Sequence, residues 1–118
     1  MANNIAFQAQ GKTHKANATT TSQTITIYAD SPCNQLLVSN HEPSGTQGHP
    51  VYFRVSNQSN VTVSIPSNTT AQYALVSIPA SIKVYTVPYQ FSNTSPLYIA
   101  FISETDNPEC YFTPGEGL

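Results

Sequence analysis

Thr24-Ile25-Thr26-Ile27-Tyr28 alternates residue by residue, and four of its five positions are β-branched. A period of two with stiff side chains describes a strand with one face wet and the other in a core. The same texture recurs on both sides. Upstream lies Ile5-Ala6-Phe7-Gln8-Ala9. Downstream follow Leu36-Leu37-Val38, Val51-Tyr52-Phe53-Arg54-Val55 and Val61-Thr62-Val63-Ser64-Ile65, then Gln72-Tyr73-Ala74-Leu75-Val76 and Ile82-Lys83-Val84-Tyr85-Thr86-Val87. Leu97-Tyr98-Ile99-Ala100-Phe101-Ile102 and Cys110-Tyr111-Phe112-Thr113 complete the series. Each is near the ordinary strand length of about five to six residues.

Turn chemistry separates these runs: Asp30-Ser31-Pro32, residues 41–50, Asn57-Gln58-Ser59-Asn60, Ser67-Asn68-Thr69-Thr70, residues 88–96 and Thr105-Asp106-Asn107-Pro108. No Pro-free window places apolar residues at helical spacing. Eight or nine short strands at intervals of about 10–12 residues predict an all-β fold. An antiparallel sandwich, a jelly roll or a small barrel would each fit. Residues 1–118 read as one domain, with residues 1–21 as an extended N-terminal arm and residues 114–118 as a C-terminal tail. Phe53, Phe101 and Phe112 are expected in the core.

Composition narrows the function. Only 8% of the chain is charged, against about 25% in an average domain. Its 13 Ser, 14 Thr and 10 Asn supply the polar surface instead. Lys12, Lys15, Arg54 and Lys83 are too few and scattered to hold a phosphate backbone, so no nucleic-acid partner is expected. No apolar run approaches the roughly 20 residues of a membrane span. With 39% hydrophobic residues and little charge, the chain also lacks the signature of disorder. Met1-Ala2-Asn3-Asn4-Ile5 shows neither a basic nor an apolar signal region, which predicts synthesis in the cytoplasm.

No constellation for catalysis emerges. His41 and His49 are further apart than the H-x₃₋₅-H of zinc sites, and with His14 and Glu42 they read as polar loop residues. Glu104, Asp106 and Glu109 lack the ligand ladder of a calcium loop. Neither a G-x-S-x-G elbow nor a phosphate-binding glycine loop occurs. Cys33 and Cys110 are expected as free thiols in a chain without an export signal. Five N-x-S/T sequons begin at Asn17, Asn57, Asn60, Asn68 and Asn93. A chain this rich in Asn, Ser and Thr would give about two by chance, and composition accounts for most of the excess. Tyr52, Tyr73, Tyr85, Tyr98 and Tyr111 fall inside predicted strands, which assigns most of them to sheet faces. The reading is therefore of a non-enzyme with no catalytic, cofactor-binding or metal residues.

The second half carries a further pattern. Gln35-Leu36-Leu37-Val38-Ser39-Asn40 is a strand ending in Asn, and a variable loop leads to Pro50-Val51-Tyr52-Phe53-Arg54-Val55. Ile82-Lys83-Val84-Tyr85-Thr86-Val87-Pro88 and Leu97-Tyr98-Ile99-Ala100-Phe101-Ile102-Ser103 follow, and the sequence runs out in Cys110-Tyr111-Phe112-Thr113-Pro114-Gly115-Glu116-Gly117-Leu118. Over residues 34–118 this order resembles the small all-β virion proteins of tailed bacteriophages, of the head decoration or cement type. That resemblance implies a β-sandwich or jelly roll that forms homodimers or homotrimers. It implies binding to the outer capsid surface, where such a protein ties neighbouring major capsid proteins together. The alternatives are a carbohydrate- or receptor-binding β-sandwich, or a head–tail or tail component.

Overall fold

The computed structural model describes residues 7–41, 49–105 and 108–117. Among them are nine strands and no helix: β1 (Gln8–Ala9), β2 (His14–Asn17), β3 (Gln23–Ile27), β4 (Cys33–Asn40), β5 (Val51–Ser56), β6 (Leu75–Ser77), β7 (Ser81–Phe91), β8 (Leu97–Ser103) and β9 (Glu109–Glu116). They form two antiparallel sheets. In the first, β1 and β2 both pair with β9, which pairs with β4, which pairs with β7. The second has the order β3-β8-β5-β6. The all-β reading is correct, and the sheets are antiparallel throughout.

Alternation explains how the sheets meet. Leu36 and Val38 of β4 and Cys110 and Phe112 of β9 point to the same core as Val51 and Phe53 of β5 and Leu97, Ile99 and Phe101 of β8. The rings of Phe53 and Phe112, one from each sheet, lie 5.5 Å apart and inclined at 66°. Tyr85 approaches Phe53 edge-on at 5.4 Å. Such tilted contacts suit the ring quadrupole better than face-to-face stacking. Phe53, Phe101 and Phe112 are all buried, as expected. A polar tie joins the sheets where they are closest to the β6–β7 turn. Buried Asn40 of β4 donates from Nδ2 to the carbonyl of Ser77 in β6 at 2.8 Å.

Strand β8 is buried on both faces, and residues 57–74 are the reason. Val61 and Val63 cover Ala100 and Ile102 on the outer face of the second sheet. Thr24 Oγ1 donates to the Val61 carbonyl, and the Val63 N–H donates to Ser22 Oγ. Val61-Thr62-Val63-Ser64-Ile65 was predicted as a strand, and here the structure corrects the sequence. Its alternation is real, but side chains rather than a ladder satisfy part of its backbone. The strand predicted over residues 72–76 likewise begins only at Leu75.

The two ends also differ from expectation. Gln8–Ala9 and His14–Asn17 pair with β9, so the described part of residues 1–21 is bound to the sheet rather than extended as an arm. Residues 1–6, including Ile5 and Ala6, lie outside the described residues. His-Lys-Ala-Asn has no β-branched residue, which is why β2 was illegible; pairing and the inward Ala16 make it a strand. Pro114, Gly115 and Glu116, read as a tail, continue β9, the first two against β4 and Glu116 opposite Gln8 of β1. Pro114 has no N–H to donate, and the edge opposite is broken between β1 and β2. There the Gln10 N–H donates to the Pro114 carbonyl at 2.9 Å. Gly115 is glycine for a steric reason: a Cβ would run into the Phe7 ring and the Gln8 carbonyl.

Candidate docking face

Strands β6 and β7 form the outer edges of their sheets and are joined by a tight turn through Pro79 and Ala80. Ala80 has a φ of 57°, left-handed and uncommon for a residue with a Cβ. Ser81 Oγ braces the turn by donating to the Ile78 carbonyl at 2.6 Å. Beyond β5 and β4 respectively, neither edge pairs with another described strand. Such edges can offer main-chain groups to a partner, although in β6 the Ser77 carbonyl accepts from Asn40 and the Val76 carbonyl from the Tyr85 hydroxyl at 3.5 Å.

The side chains here are apolar. Six large hydrophobic residues are exposed among the described residues, and five fall between positions 73 and 82. Tyr73 is 81% exposed, Ile78 60% and Ile82 66%, with Leu75 and Val76 alongside. Val76, Ile78, Ile82 and Tyr85 line a groove of about 250 Å³. A second hollow of about 380 Å³ opens between Arg54, Tyr73 and Leu75. Each hollow has one cation held over a ring: Arg54 5.3 Å from the centre of Tyr73, and Lys83 5.2 Å from that of Tyr85. Neither hollow is lined by a carboxylate. An apolar strip with a polar and cationic rim is the anatomy of a protein contact surface.

This strip was missed in the sequence because strand alternation conceals it. Tyr73 was expected in a strand and instead precedes one. Ile78 sits beyond the end of β6, and Leu75 and Val76 are adjacent apolar residues that no single strand face can bury together. That breach of the period-two pattern was the readable signal.

The other candidates are dispersed. His14 lies in β2, where burial lowers its pKa. The His41 ring meets Tyr111 at 4.5 Å, 58° from coplanar. Glu42 and Asp106 lie outside the described residues. Glu109 pairs with Lys15 at 3.1 Å, and Glu104 is exposed. Among the described residues no three His, Cys, Asp or Glu side chains gather as metal ligands. All five sequon asparagines are exposed. Tyr52, Tyr85, Tyr98 and Tyr111 are half-buried on their sheets.

Cys33 and Cys110 are free and buried. Cys110 pairs with Asn40 at one end of β4, whereas Cys33 opens the other end. Seven residues at about 3.3 Å each put them roughly 23 Å apart along the strand, far beyond disulfide reach. Burial pushes the Cys110 thiol from its ordinary 9.0 up to about 12. Burial, then the Glu116 charge, also raises Cys33. An unfolded thiol loses its proton near 9 while native Cys110 keeps its own to about 12. Between those values the unfolded state holds fewer protons, so stability falls as pH rises. Above the acid range in which His14 takes up its proton, urea midpoints are expected to be level up to about pH 9 and to decline beyond it, with Cys110→Ala flattening part of the decline. Half-buried Tyr52 and Tyr85, also raised by burial, act in the same direction.

No family model, curated protein or solved structure matches the chain.

Proposed function

We propose that this is a structural virion protein of a tailed bacteriophage, a decoration or cement protein that binds the outside of the head and fastens major capsid proteins together. The observation that carries the reading is the exposed apolar strip on two open sheet edges, in a chain with only 8% charge. A fastening protein needs a rigid scaffold and a contact surface, not a reacting group. Low charge lets many copies crowd on one shell without repulsion. The strip is assigned to the major capsid protein, and contacts between copies produce a homodimer or homotrimer.

The finer fold assignment belongs with this reading. Strand order β2-β9-β4-β7 in one sheet and β3-β8-β5-β6 in the other supports an eight-stranded jelly-roll sandwich as the finer reading, with β1 as a short addition. Jelly rolls serve capsids and lectins alike, so the function rests on the surface and not on the architecture.

Quantitative mass spectrometry of purified particles tests the proposal. The chain should appear at a copy number comparable with that of the major capsid protein. Absence from the particle, or the few copies of a head–tail or tail component, would overturn it.

A further inference from the structure

We infer that a second site, at the opposite end of β7 from the apolar strip, binds a neutral saccharide. A groove of about 470 Å³ opens there between the ends of β5, β7 and β8. Tyr89 and Tyr98 flank it, and Asn57, Gln90, Thr94 and Ser95 supply amides and hydroxyls. Ile82 and Tyr89 are seven residues apart on β7, roughly 23 Å at about 3.3 Å per residue. The site is therefore separate from the docking face and does not rest on the virion reading.

Three observations point to a sugar. No Lys, Arg, Asp or Glu lines the groove, which disfavours phosphates, carboxylates and cations. Both tyrosines are half-buried, so their rings are fixed by packing while part of each remains accessible. A fixed ring offers a flat apolar face at little entropic cost, which suits the C–H face of a pyranose. Finally, Asn57 Oδ1 accepts from Gln58 Nε2 at 3.5 Å and the Thr94 and Ser92 hydroxyls share a hydrogen bond at 3.3 Å, but the other polar groups are uncommitted. Among the described residues, the hydroxyls of Tyr89, Tyr98 and Ser95 and the Gln90 amide make no hydrogen bond within the protein. Amides and hydroxyls both donate and accept, as sugar hydroxyls do.

The loop carrying Thr94 and Ser95 is already ordered. Ser92 Oγ accepts from the N–H groups of Thr94 and Ser95, each at 3.3 Å. The Ser92 N–H donates to the Ser95 carbonyl at 2.9 Å. A ligand would thus meet a prepared surface, and little ordering would oppose its binding.

The test is amide-shift NMR of the isotopically labelled full chain. Neutral tetrasaccharides of glucose, mannose, galactose and N-acetylglucosamine are titrated to about 10 mM, the range of weak binding. A uronate tetrasaccharide and an uncharged capped tetrapeptide serve as the other arms. At least one neutral saccharide should move the amides of Gln90, Thr94, Ser95 and Tyr98 in a saturable way. Gln90→Ala and Tyr89→Phe should each weaken that response about threefold or more. The first change is at an exposed side chain, and the second keeps the ring, so both variants should retain the native spectrum elsewhere. The inference is overturned if no neutral saccharide moves these amides, if both variants respond like the parent, or if the uronate or peptide binds more tightly.

Discussion

On the decoration-protein proposal, Ile82→Asp should release the protein from phage heads while leaving the free protein folded. Ile82 is 66% exposed and belongs to an edge strand, so its replacement opens no cavity. The intrinsic cost of Asp in a strand is no more than about 1 kcal/mol, a shift of a few degrees in melting temperature. In the docked state the same carboxylate would be enclosed in an apolar contact without a partner. Burying an unpaired charge costs several kcal/mol, and about 1.4 kcal/mol is already tenfold in affinity. Particle occupancy in a co-sedimentation assay should therefore fall at least about tenfold. Thr20→Asp, exposed but distant from the strip, supplies the control for added charge. Equal retention of the Ile82 variant and the parent, or equal loss from both variants, would remove this strip from the docking assignment.

The second large effect concerns stability. Phe53 is fully buried in β5 and touches Phe112 and Tyr85 of the facing sheet. Truncating it to Ala takes away both the transfer energy of the ring and the contacts that the ring makes across the core. The walls are strands fixed by their ladders, so they cannot collapse fully into the space. The expected cost is about 3–5 kcal/mol, within the measured range for buried Phe→Ala. Against a typical domain stability of about 5–15 kcal/mol this is a large fraction. Urea denaturation should show a much lower midpoint with a similar slope. A midpoint unchanged from the parent would mean that Phe53 is not where the two sheets are joined. Phe53→Leu, which preserves apolar bulk, should recover part of the loss.

The sequence reading succeeded where one strand face is wet and the other dry. Thr24 to Ile27 and Val51 to Val55 illustrate this, since β-branched and aromatic residues alternate there with polar ones. It failed where burial and pairing part company. Val61 and Val63 are buried at strand-like spacing, yet they lie over a sheet without joining its ladder. At β2 the reverse holds, because Lys15 and Asn17 look like loop residues and become strand only when β9 is beside them. The apolar strip was hidden for a third reason: its members run from Tyr73 through β6 and the turn to Ile82, and their β-like composition reads as buried sheet although both edges are open. The groove between Tyr89 and Tyr98 is assembled from still more distant parts, with Asn57 and Tyr98 over forty positions apart in the chain.

Strand β9 comes last in chain order yet sits in the interior of its sheet, between β4 and the β1/β2 pair. Neither neighbour can be completed without it. During synthesis, β2 must therefore wait without a strand partner, and β4 with one of its two edges open, until residue 116 has left the ribosome. Closing loops that long is entropically expensive, and topologies dominated by such pairings fold slowly. The exposed edges are also templates for pairing with other nascent chains. The chain is thus most vulnerable before β9 arrives. Stop codons anywhere upstream of β9 would yield aggregate rather than a shorter working form.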